Sequence, residues 1–210
     1  MEIGILGAGM VGGALTKALA KRGHSVLVSA SDPASPKLKA LVAEAGGAAR
    51  AATNEEAAKC DIVILATPWG ATKKVLKSLD LSGRIVLDAT NPIAADFSGL
   101  ERGFDDSGGE SVARWAKGAR VVKALNQIGA DLMDAPKVKA GRPVMFIAGD
   151  DADAKAIVAS LVESLGFDVD DCGGLQMSRY LEPLAWLWIN RAMRQNRGRN
   201  FALVLSSATP

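Results

Sequence analysis

Short apolar runs recur along the chain, and most of them close on glycine, proline or asparagine. The first occupies residues 2–6 and runs into Gly7-Ala8-Gly9-Met10-Val11-Gly12, after which Ala14, Leu15, Ala18 and Leu19 fall at helical spacing. Basic residues and Gly23 end that helix, and a second apolar, β-branched run follows at 25–30. Strand, glycine turn, helix and strand in this order make a βαβ unit. Further strands are predicted at 62–67, 84–88, 120–125, 144–148 and 167–171. Helices are predicted at 37–45, 112–116, 152–165 and 178–193, with a short one capped by Asn54-Glu55-Glu56 and a Gly/Asp-rich loop over 99–111.

Strands that alternate with helices imply a doubly wound, mainly parallel sheet covered on both faces, an α/β Rossmann-like fold. The expected organisation is a dinucleotide-binding domain over residues 1–140 and a small C-terminal α/β lobe over 141–210 packed on it. The helix at 178–193 carries more apolar surface than a small lobe can cover, which points to a homodimer.

Composition narrows the class. With 49% hydrophobic and 23% charged residues, the 210-residue chain reads as an ordinary globular protein, not a disordered, collagen-like or disulfide-stapled one. Its 25 basic and 23 acidic residues leave a formal charge of +2, which argues against a nucleic-acid or membrane-surface partner. No signal-peptide pattern and no apolar stretch of membrane-spanning length are present, so a cytoplasmic protein is expected. Cys60 and Cys172 stand alone, and His24 is the single histidine, so a zinc site, a disulfide framework and a histidine-based triad are not expected.

The candidate chemistry lies in the turns. In Gly7-Ala8-Gly9-Met10-Val11-Gly12 the first glycine permits a tight turn and Gly9 lets the backbone approach a pyrophosphate. Gly12 lets helix and strand pack closely, while the amides of Met10 and Val11 lie at a helix N-terminus. At the ribose end stands Ser29-Ala30-Ser31-Asp32, with Lys37 and Lys39 shortly after. The hydroxyls of Ser29 and Ser31 together with Lys37 suit a 2′-phosphate, hence NADP. Asp32, 20 residues beyond Gly12, suits a plain ribose or, before Pro33, a simple turn. Ligands of doubly wound sheets lie beyond the carboxyl ends of the strands, which singles out Thr67, Pro68, Trp69, Asn91, Pro92 and Asn126. Trp69 either stacks on a ring or walls the pocket. The arginines 191, 194, 197 and 199 read as a solvated face at a helix end.

The segments ILGAGMVG, DIVILATPW, DATNP, KALNQIGA, IAGDDADAK and SRYLEPLAWLWI resemble the 8-hydroxy-5-deazaflavin:NADPH oxidoreductases, their bacterial NADP oxidoreductase relatives and the N-terminal domains of metalloreductases. The resemblance runs over essentially the whole chain. It implies an NADP(H)-dependent oxidoreductase moving a hydride between nicotinamide and a small-molecule acceptor of deazaflavin or flavin type, with no catalytic side chain required. Two departures stand out: the arginine that follows the second strand in that family is Ser31 here, and a histidine of its archaeal members is Asn126. An imine or hydroxyacid reductase would call for a long helical domain with a catalytic lysine. The alternative from another class is an NADP(H)-binding redox sensor or subunit without turnover of its own.

Overall fold

In the computed structural model, which describes residues 1–206, the chain runs β1 (Glu2–Leu6), α1 (Met10–Lys21), β2 (Ser25–Ser29), α2 (Pro36–Ala45), β3 (Ala49–Ala51) and α3 (Asn54–Ala57). It continues through β4 (Ile62–Leu65), α4 (Trp69–Lys77), β5 (Ile85–Asp88), α5 (Gly108–Trp115), β6 (Arg120–Lys123), β7 (Val144–Gly149), α6 (Ala152–Ser164), β8 (Asp168–Asp171) and α7 (Ser178–Ile189). The eight strands form one sheet in the order β3-β2-β1-β4-β5-β6-β7-β8, parallel throughout except between β6 and β7. Residues beyond 140 thus add β7 and β8 to the far edge of the same sheet. Among the described residues no helix is long and apolar enough to cross a membrane.

Strand residues alternate between two apolar layers because successive side chains point to opposite faces. Ile3, Ile5, Ile62, Ile64, Ile85 and Leu87 join Leu15 and Leu19 of α1 and Val158 and Leu161 of α6 on one face. Leu6, Val63, Leu65 and Val86 join Trp69 and Leu76 of α4 and Val112 of α5 on the other. Both faces being covered, central strands such as β4 and β5 read as continuous apolar runs rather than alternating ones, whereas the edge strands β3 and β8 do not.

Local chemistry sets the element ends. Ser35 caps α2 by accepting from the Leu38 amide, with Pro36 at the first helical position, and Asp151 caps α6 by accepting from the Ala154 amide at 2.7 Å. The cap of α3 is Thr53, one residue ahead of the predicted Asn54, because Thr53 and Glu56 bond reciprocally. The chain runs outward from β1 through β2 to β3 and then crosses back to β4 on the other side of β1. This is the switch point at which an open α/β sheet leaves a crevice, and the glycine turn opens into it.

Candidate functional site

The glycine turn is built by sterics. Gly7 has φ of 110°, and a Cβ there would stand 2.6 Å from the carbonyl oxygen of Ala66, so the turn tolerates no side chain. A Cβ on Gly12 would run into the carbonyl oxygen of Gly7, since helix and turn touch. Gly9 is different: a Cβ there meets nothing within 4 Å. Protein packing therefore does not demand glycine at that position, which keeps the surface over the first turn of α1 clear. Among the described residues no side chain caps this helix and its first turn holds no acid, so its leading amides remain free to bind an anion.

A cavity of about 570 Å³ opens beside that turn, at the carboxyl ends of β4, β5 and β6. Of the residues singled out from the sequence it is lined by Met10, Val11, Thr67, Pro68, Trp69, Asn91 and Asn126. Register explains the last pair. Asp88 of β5 stands opposite Lys123 of β6, and the same 35-residue offset carries on to Asn91 and Asn126. Their amides interlock: Asn91 Nδ2 donates to the Asn126 carbonyl at 2.8 Å, and Asn126 Nδ2 donates to Asn91 Oδ1 at 3.0 Å. Gln127 fixes the arrangement from behind by donating to Asn126 Oδ1 and to the Phe146 carbonyl. Leu125, also lining the cavity, is held at φ of 61°, backbone strain that this network sustains.

Trp69 opens α4 and walls the cavity. Its ring lies 5.2 Å from that of Trp115, and its indole N–H donates to Glu101 Oε2 at 2.9 Å, tying down the loop that leads to α5. Trp188 of α7 forms part of the opposite wall, stacked at 5.0 Å on Phe201.

A second groove of about 690 Å³, between α1 and α2, is lined by Gly9, Met10 and Lys37 together with Lys17, Glu44, Asp131 and Asp134. Gly7, Gly12, Ser29, Ser31 and Pro92 line neither space. Gly7 and Gly12 shape the turn, and Pro92 is buried near Gly108. Ser29 is fully buried and its hydroxyl donates to the Ile5 carbonyl, so it presents nothing to a phosphate. Ser31 is exposed just beyond β2. Asp32 turns its carboxylate onto the Ala34 amide at 2.9 Å, an Asx turn, which favours the turn reading.

Directly beneath the cavity lies a group of charges that the sequence reading missed. The fully buried ammonium of Lys123 forms ion pairs with Asp88 Oδ2 at 2.7 Å and Glu182 Oε1 at 2.8 Å and donates to the Thr90 carbonyl at 2.9 Å. Asp88 Oδ1 accepts from the amide and hydroxyl of Thr90, and Glu182 accepts from the Gly108 and Gly109 amides at the start of α5. Burial by itself would depress the Lys123 ammonium, but the Asp88 and Glu182 carboxylates outweigh it and hold the group above its usual value. The cluster joins β5, β6, α5 and α7 and so fixes the floor of the cavity.

The N-terminal part of the chain, residues 2–92, matches the family model described as NADP oxidoreductase coenzyme F420-dependent. A solved structure proposed to be an F420-dependent NADP-reductase, from Arthrobacter sp. FB24, is similar over 99% of this chain and 100% of its own, with 32% identity and a TM-score of 0.85. The structure of a hypothetical protein, SMa0349 from Sinorhizobium meliloti, is similar over 85% of this chain and 87% of its own, with 32% identity and a TM-score of 0.74. Metalloreductase STEAP3 of Rattus norvegicus is 29% identical over 185 residues, 87% of this chain. The chain spans 36% of the length of that curated relative.

Proposed function

Because this chain belongs to the family of coenzyme F420-dependent NADP oxidoreductases, we propose that it transfers a hydride between NADP(H) and a small-molecule ring acceptor of deazaflavin or flavin type, in the cavity beyond β4, β5 and β6. The glycine turn fits a dinucleotide: Gly9 keeps the phosphate surface clear and the free amides of α1 point to it. Ser31 and Lys37, both exposed after β2, are the groups this chain offers a 2′-phosphate. When bound, NADPH supplies the hydride and becomes NADP⁺, while the reduced ring takes its balancing proton from solvent.

One observation carries the choice of acceptor. Among the described residues lining the cavity, Arg199 is the only charged one, and none is Asp, Glu, His, Lys or Cys. Reduction of a carbonyl or imine places a proton on the atom beside the reacting carbon and calls for a titrating donor there. Transfer between two rings calls for proximity and alignment instead, which apolar walls such as Trp69, Leu125, Ile128 and Trp188 provide. In this reading residues 1–140 hold the dinucleotide and the later residues cover it, since Trp188, Ile189 and Arg199 line the cavity.

The test is single-turnover oxidation of NADPH followed at 340 nm with a deazaflavin, a flavin, a ketone and a cyclic imine as acceptors. Oxidation with a ring acceptor and none with the ketone or imine is expected. Reduction of the ketone or imine with both ring acceptors inert would reject the proposal. Tyr180 and Leu187, large and exposed on α7, further support a homodimer through that helix. Sedimentation should then find a dimer at micromolar concentration, and a strict monomer would reject this assembly.

A further inference from the structure

We infer that Arg199 is a ligand for the pyrophosphate of the dinucleotide, so that the segment following α7 forms the second wall of the phosphate site; this rests on the function proposed above. The sequence groups Arg199 with Arg191, Arg194 and Arg197 as a run of solvated cations, but the fold separates it from them. Arg191 lies over the Phe201 ring, 4.6 Å from its centre. Arg199 turns inward as the one cation among the described residues of the cavity wall, with Nη1 3.8 Å from the sulfur of Met10, the first residue of α1. Its side chain is only 29% exposed, an unusual state for a cation whose role is solubility.

The guanidinium is also under-partnered. Its Nε lies 3.1 Å from Asp131 Oδ2 but at an angle that makes no hydrogen bond, and the one hydrogen bond its Nη1 makes is to the weakly accepting Met10 sulfur. The segment that carries it is fastened in place. The Trp188 indole donates to the Phe201 carbonyl at 2.9 Å, the Val144 amide of β7 donates to the Leu203 carbonyl at 2.9 Å, and Trp188 packs so closely on Gly129 that a Cβ there would stand 2.7 Å from its ring. The glycine turn over residues 7–12 contains no cation of its own. A donor fork held beside the free amides of α1 supplies the charge that a diphosphate needs and that backbone amides provide only in part.

The experiment is calorimetric titration of the full chain and of Arg199→Ala, Arg199→Lys and Asp131→Asn with NADPH, ADP-ribose and 2′-AMP, the last lacking a pyrophosphate. Arg199→Ala should raise the Kd of NADPH and ADP-ribose about tenfold, the loss expected for one charge-assisted contact, and leave 2′-AMP within about twofold. Arg199→Lys should lose less, because it keeps the charge without the fork, and Asp131→Asn should tighten NADPH by releasing the guanidinium. NADPH binding unchanged in Arg199→Ala would overturn the inference, as would an equal loss for 2′-AMP, which would mark a general disturbance of the site. Failure of the unaltered chain to bind NADPH would overturn the proposed function together with it.

Discussion

Lys123→Met is expected to lower the free energy of unfolding by about 3–5 kcal/mol at neutral pH, the usual cost of removing one partner from a buried ion cluster. Methionine fills the volume but leaves Asp88 and Glu182 as buried carboxylates with no cation between them. Urea unfolding read by circular dichroism measures the effect. Joint replacement of Lys123 by Met, Asp88 by Asn and Glu182 by Gln should recover part of the loss: the uncompensated charge disappears, while one of the two amides that Glu182 satisfies loses its acceptor. The pH dependence follows from the sign of the shift. Folded Lys123 sits above its unfolded value near 10.5, so its contribution is complete below that pH and is lost as pH rises through the folded value. A variant within about 1 kcal/mol of the parent at pH 7 would mean that the cluster does not stabilise the fold.

Gly9→Val should weaken NADPH binding by at least about 100-fold, ~2.7 kcal/mol, and leave the melting temperature nearly unchanged. The two halves have separate causes. Gly9 has extended backbone angles that valine adopts readily, and a Cβ there meets no protein atom within 4 Å, so the fold has no reason to suffer. The branched side chain would occupy the space over the Met10 and Val11 amides that a pyrophosphate needs. Gly12→Val is the contrasting control and should unfold the chain, because its Cβ collides with the Gly7 carbonyl. Calorimetry and thermal melting of both variants decide the matter. Retained NADPH affinity in Gly9→Val would place the phosphates elsewhere.

Most strands were legible because a sheet covered on both faces writes its strands as short apolar runs, and those runs stop where the loops of the site begin. The loops after β4, β5 and β6 were legible for the same reason, and Thr67, Asn91 and Asn126 do meet around one cavity. The strand β3 was missed because Ala49–Ala51 is too short and too bland to show a period. The helix α4 was missed because Pro68 and Gly70 around Trp69 read as loop chemistry, whereas the proline serves as the cap position. Helix α5 starts at Gly108, four residues ahead of the 112 that the sequence predicts. Its signal was present as Ser107 and Glu110, a serine cap with glutamate three residues on, but Gly108-Gly109 between them masked it. Those glycines are required where the first turn of α5 meets Glu182 and Ser178.

What sequence could not provide was contact between distant residues. Asp88 and Lys123 read as strand residues and Glu182 as one polar position on an amphipathic helix, and only the register of β5 against β6 brings the first two together. Ser29 failed in the opposite way: its position after an apolar run suits a phosphate, but its hydroxyl is spent inside the sheet. Arg199 was hidden by its neighbours, since a run of arginines carries no sign of which one turns inward.

Direct hydride transfer to a ring acceptor would carry an isotope from nicotinamide into the reduced ring. NADPH carrying deuterium at nicotinamide C4 would be incubated with the protein and an oxidised deazaflavin in ordinary water, and the reduced ring analysed by mass spectrometry. One deuterium in the reduced ring is expected on turnover with the correctly labelled face of NADPH, and none when the label is on the other face. Reduction that carries no deuterium from either face would contradict direct transfer.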